Sequence, residues 1–246
     1  MALIATGAGL GIIIHQTSNS TPTKVVQATS VADFIKSMKQ ANGTRFVATY
    51  RLNNYLFFQN GTTVIAQIPS PPGTKVTTNL DGYSGTGHYA YLYHGPSGRI
   101  AQWIKNGTNV SACLRMAGGG TFRKLQCSRP SPYIPSNGFA EEDAGFVPTY
   151  VLQSISGIDG PGWQREATVT TRASREFGPL RCLAQSSGPT TQITCINQAG
   201  FVVSWLLQSG SGSSSRATLT SLNHHPTADD FKTLLPPTTS LILPSV

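Results

Sequence analysis

Three clusters in this chain hold side chains able to do chemistry. Glu141, Glu142 and Asp143 stand together in "GFAEEDAGF" and would suit paired carboxylates acting on a glycosidic bond, at a separation that only the fold can set. Their Pro-rich surroundings read instead as a solvated loop. "HHPTADD" offers His224, His225, Asp229 and Asp230 as metal ligands, but neighbouring residues of a strand point to opposite faces, which makes a joint site awkward. "GYSGTGH", ending at His88, fits neither a nucleophile elbow nor a phosphate loop. The expectation is therefore no catalytic residue, no metal and no cofactor.

The four cysteines have a different chemistry. Cys113 and Cys127 bracket "CLRMAGGGTFRKLQC", and Cys182 and Cys195 bracket "CLAQSSGPTTQITC". Four cysteines permit three pairings. Each close pair spans what reads as a β-hairpin, turning at 118–120 and 186–189, and cysteines facing across a hairpin sit near bonding distance. That favours 113–127 and 182–195 over a zinc site, which normally wants C-x₂₋₄-C spacing. Two disulfides imply an oxidising compartment.

The first residues point the same way. Met1 to Ile14 is an uncharged apolar run, about 21 Å as a helix and short of a bilayer core of about 30 Å. It resembles a secretory signal or a marginal anchor, although the usual positive n-region is missing; a start further upstream would supply it. Residues 1–29 are thus expected to be an apolar run with a polar linker, 30–236 a single domain and 237–246 a flexible tail. The expected location is extracytoplasmic, secreted or anchored to the outer face of the cytoplasmic membrane.

The formal charge of +8 favours anionic surfaces such as acidic lipid or cell-wall polymer. Lys and Arg are spread thinly, the densest stretches being Arg123–Lys124–Arg129 and Arg165–Arg172–Arg175–Arg181. They are not interleaved with aromatics, and no nucleic-acid motif is present, so nucleic acid is not an expected partner.

The elements that must hold these residues begin with "SVADFIKSMKQANGTRFVATYRL". Ser30 is a good N-cap with Asp33 three residues on. Val31, Phe34, Ile35 and Met38 recur at helical spacing, and Asn42–Gly43 stops the helix. A helix this short with one apolar face cannot stand alone and must lie on something. After it, turn signals every 8–12 residues predict about eleven antiparallel strands. They include a hairpin turning at Asn60–Gly61. "VPTYVLQSISG" predicts a second short helix with Val151, Leu152 and Ile155 on its apolar face. The fold class is mainly β with two short helices (α+β). The sheet must either fold into a sandwich or curl around the helices.

The opening "VADFIKSMKQANGTRFVATYRL" resembles the start of the LolA/LppX-like envelope proteins, where a helix precedes a strand of the form "tF.a.Y". The closing "ATLTSLNHHPTADDFKTLLPP" is similar to that family's last strand and its ending, here Asp230, Phe231, Leu235 and Pro236. The family includes bacterial lipoprotein carriers, mycobacterial lipid carriers and RseB-type periplasmic regulators. The resemblance implies a strongly curved sheet, a half-open barrel wrapped around the helix, with an apolar cavity for acyl chains. The lipobox of the mycobacterial carriers is absent.

On that plan Val31, Phe34, Ile35 and Met38 form the plug. Facing it are expected Phe46, Ala48 and Tyr50, then Val64, Ala66 and Ile68, then Phe201, Val203, Trp205 and Leu207. A loose plug leaves room for an apolar ligand; a tight one makes only a core. Three readings follow, in this order: an exported carrier of lipid or another hydrophobic envelope component, a membrane-tethered regulatory domain that binds an envelope protein, and an enzyme acting on cell-wall polymer.

Overall fold

The computed structural model describes residues 30–54, 59–69, 86–107, 109–115, 124–127, 129, 148, 151–152, 155 and 168–235. Helix α1 (Val31–Asn42) begins where the sequence places it. Ser30 Oγ accepts the Asp33 N–H at 3.1 Å and donates its own hydrogen to the Asp33 carboxylate at 2.7 Å. One unpaired N–H of the helix start is thereby satisfied, and the capping side chain is itself held by the Asp33 carboxylate.

The strands are β1 (Phe46–Asn54), β2 (Gln59–Pro69), β3 (Thr86–His94), β4 (Ile100–Asn106), β5 (Asn109–Arg115) and β6 (Gln126–Cys127). After the described helical residues come β7 (Thr168–Ser174), β8 (Gly178–Ser187), β9 (Thr190–Ile196), β10 (Val202–Gln208) and β11 (Ser214–Asn223). They form a single curved, unclosed antiparallel sheet of eleven strands, in the order β6-β5-β4-β3-β2-β1-β11-β10-β9-β8-β7. Every neighbour but one is also a neighbour in sequence, a meander of antiparallel strands. The exception joins the first strand to the last, β1 to β11, and so welds two meanders into one half-barrel.

Pairing register decides which residues share a face, because side chains alternate with a period of two. Phe46, Ala48 and Tyr50 stand opposite Gln67, Ile65 and Thr63 of β2. Those in turn stand opposite Tyr89, Tyr91 and Tyr93 of β3. This is the inner face, and it joins Phe34, Met38 and Ala41 of α1 in the main core. Pro148, Val151, Leu152 and Ile155 have helical backbone and are buried; the last three join the same core. The second apolar helical stripe expected from the sequence therefore also packs inside.

The outer face has a smaller cluster of its own. Val47, Ala66, Ala90 and Ile104 line up across β1 to β4, and Phe231 covers them. Phe231 sits in a 3-10 turn, Ala228–Phe231, closed by a capping box between Thr227 and Asp230. Gln102 clamps the chain beyond it: its Nε2 donates to Lys232 O at 2.9 Å and its Oε1 accepts Leu234 N–H at 3.0 Å. The closing segment docks on the outside of the sheet.

One turn differs from expectation. Asn60 and Gly61 lie within β2, with Gly61 opposite Leu52, so the β1–β2 turn does not fall on them. Asn60 Oδ1 instead accepts the Asn54 N–H at 2.8 Å, and a Cβ on Gly61 would collide with His94 O. This glycine marks a close approach of neighbouring backbone rather than a bend. The expected strand at 75–80 and the turn at 118–120 lie outside the described residues, as do the N-terminal run and the tail.

Candidate functional site

The place to look for a ligand is the space between α1 and the inner face. Phe34, Met38 and Tyr50 are 0%, 1% and 1% exposed, and Phe46, Ala48 and Leu52 are equally buried. Phe46 meets Phe201 edge to face, ring centroids 5.2 Å apart. Trp205 and Val203 of β10 belong to the same core, and Leu207 packs at its margin. Val31 and Ile35, the other half of the expected stripe, are only partly buried. The deep face of α1 is Phe34, Met38 and Ala41, and these side chains are enclosed on every side. Burying each of the two larger ones contributes about 1.5–3 kcal/mol to the fold.

The expected lining residues of β2 take the other side. Val64, Ala66 and Ile68 pair in register with the outer-face row, and Ala66 and Ile68 pack with Phe231. Thr63, Ile65 and Gln67 point inward instead. Both parities of this strand contain apolar residues, so period two alone does not choose between them. Gln67 explains the choice: its Nε2 donates to Asn42 O and to Thr44 O, satisfying carbonyls at the end of α1. The hydrophobic alternative faces outward because the closing segment covers it.

The interior is also less oily than a pure acyl pocket. Tyr50 Oη donates to Val202 O at 3.0 Å across the core, tying β1 to β10. Burial pushes its phenol well above the ordinary tyrosine range. Tyr93 Oη donates to Asn60 O at 3.1 Å; burial raises its pKa too, partly offset by Arg99. Gln185, Gln192 and Thr194 are buried on β8 and β9. Lys105, half-buried in the row of Tyr89 and Val110, has its pKa lowered by desolvation.

An open groove runs along the other side of α1. Ala32, Ile35, Lys36, Lys39 and Gln40 line about 600 Å³. The spacing is that of one helix face, with Ile35 and Ala32 as an apolar floor and two ammonium groups at the rim. Sequence reasoning placed Ile35 in the plug and the lysines off the stripe; it did not see that Ile35, at the edge of the stripe, belongs to both.

Asp229 is paired with Lys232 at 2.6 Å, which lowers its pKa, and Asp230 caps the 3-10 turn. His224 lies against the Phe201 ring at 5.3 Å. No group of three metal-ligating side chains occurs among the described residues. Glu141, Glu142 and Asp143 lie outside them. Cys113–Cys127 and Cys182–Cys195 are disulfides, each joining directly opposed residues of a hairpin. Two such bonds fit an oxidising, extracytoplasmic compartment. No described helix is long and apolar enough to cross a membrane.

These features define the class by architecture: a half-barrel of antiparallel strands with its helical insert inside. No protein-family model matches the chain, and no curated protein matches it in sequence. Among solved structures it is similar to one described as MucB, at 15% identity over 82% of this chain, with a TM-score of 0.46. A complex of Pseudomonas aeruginosa MucA and MucB is similar at 13% identity over 82% of this chain, with a TM-score of 0.47. The chain spans 62% and 60% of the length of those two structures.

Proposed function

We propose that this chain is a non-catalytic extracytoplasmic domain that binds a protein partner, held at the outer face of the cytoplasmic membrane by Met1–Ile14. The observation that carries this reading is the closure of α1 on the inner face. Phe34, Met38, Phe46, Ala48 and Tyr50, which the sequence offers for an acyl cavity, are all buried beside the helix. An acyl chain gains about 0.8 kcal/mol per methylene buried, but only where there is room for it. The binding surface is the outward groove of α1. Its apolar floor between Lys36 and Lys39 suits a protein segment that offers an apolar side chain flanked by carboxylates.

The test is a photo-crosslinking residue placed at Ile35 and, for comparison, at exposed Thr220 of β11, with the chain in its host's envelope. A discrete protein adduct is expected at position 35 only, and K36E/K39E should abolish it. Native mass spectrometry of the same protein should show the mass of the chain alone. Lipid bound at one equivalent, or equal labelling at positions 35 and 220, would overturn the reading and favour the carrier.

A further inference from the structure

The half-barrel ends in strands that the sheet does not close. At one end stands β7, seven residues long, paired throughout with β8 from Thr168↔Ala184 to Ser174↔Gly178 without a register shift. Among the described residues β7 has no strand on its other side. A strand in that position presents alternate N–H and C=O groups outward, a ready template for another strand. Its sequence, "TVTTRAS", holds Val and three Thr in seven residues, is free of Pro, and keeps the regular geometry that pairing requires.

The two faces of β7 differ. Val169 stands opposite Leu183 and packs on the main core. Thr168, Thr170 and Arg172 are exposed on the other face. Arg175 follows, exposed in the turn to β8, whereas Arg181 of β8, opposite Thr171, is half-buried on the Val169 face. Against Arg172 and Arg175 stands one nearby carboxylate, Glu176. An added strand would therefore meet an apolar margin on one face and positive charge on the other.

We infer that β7 accepts an extended segment of a protein partner by strand addition, and that this segment alternates apolar residues, on the Val169 side, with carboxylates, on the Arg172 side. The inference rests on the partner-binding reading but does not need the α1 groove. A second copy of the chain is the other possible occupant. Antiparallel self-pairing centred on Thr171 would place the two Arg172 side chains on one face as diagonal neighbours, about 7–8 Å apart. Like charges at that distance repel, so the edge favours an acidic strand over itself. α1 packs beside β7 and β8, which places the two surfaces on neighbouring elements.

The probe is a capped heptapeptide alternating Val with Glu, added to the folded, oxidised chain. Amide hydrogen exchange should slow at alternate residues of Thr168–Ser174. R172E/R175E should weaken binding at least about tenfold, since both charges are removed and reversed. Two further peptides, N-methylated at the odd or at the even amides, separate backbone pairing from charge alone. One of them should lose binding and the other keep it, because a strand donates hydrogen bonds to one side with only half its amides. Equal binding by both methylated peptides overturns strand addition, as does a chain that dimerises through β7 in sedimentation. Protection confined to α1 overturns strand addition while the partner-binding reading stands; protection at neither surface, together with no adduct at position 35, removes both.

Discussion

The docking of α1 can be measured through one glycine. Gly200, in the turn between β9 and β10, has φ +91°, a conformation that costs an L-residue about 1–2 kcal/mol. A Cβ there would collide with Ser37 O and stand 2.5 Å from Ser37 C and 3.2 Å from Met38 N. Carbon atoms pack at about 3.5–4.0 Å, so the helix backbone must retreat by about 1 Å. That movement lifts Met38 and Phe34 off the inner face, an overpacking cost of about 1–3 kcal/mol. G200A should therefore lose about 2–5 kcal/mol in all. Gly212 provides the control: its φ is +83° and nothing lies within 4 Å of its Cβ position, so G212A should lose only the conformational part. The assay is urea unfolding of both variants with disulfides intact, read by near-ultraviolet circular dichroism. The excess of G200A over G212A should be about 1–3 kcal/mol, or about 2–12 °C in Tm for a domain of this size. Hydrogen exchange in α1 should rise in G200A alone. If the two variants agree within about 0.5 kcal/mol, α1 is not seated on the β9–β10 turn.

Two other expectations follow from the same core. Tyr50 has its folded-state pKa raised by burial, so the neutral phenol is the form the fold holds. Its contribution is complete below the free tyrosine value of about 10 and is lost as pH rises through the folded value. Wild-type stability should fall in alkali more steeply than that of Y50F, and Y50F should start about 1 kcal/mol lower at neutral pH for want of the bond to Val202 O. Equal slopes in a pH series of unfolding midpoints would refute the assignment. The Cys182–Cys195 bond, with a sequence separation of 13, should contribute about 3 kcal/mol in the chain-entropy model. C182A/C195A measured against wild type by urea unfolding tests that figure, and a difference below about 1 kcal/mol would contradict it.

The local units of this protein are legible in its residues. Ser30 and Asp33 start α1, Gly43 lies just past its end, and the cysteine pairs mark two hairpins that form as spaced. These are contacts between residues close in sequence, settled by backbone geometry and capping over a few bonds. The strand count and the half-barrel followed from turn spacing and from the resemblance of the two chain ends to a known family. Asn60–Gly61 misled because the same dipeptide serves a turn or a close approach, and only His94, brought in by β3, distinguishes them.

What the tertiary structure alone decided is which surfaces are inside. Val64, Ala66 and Ile68 are the more apolar parity of β2, yet they face outward, where Phe231 arrives from the far end of the chain to cluster with Ala66 and Ile68. Gln67 faces inward because the end of α1 offers it carbonyls. Likewise Phe34 and Met38 have the spacing of a plug whether it fits loosely or tightly. The difference is a matter of ångströms between elements far apart in sequence, and a one-dimensional pattern has no coordinate for that distance. Periodicity says that a face is buried; only packing says against what, and whether any room is left.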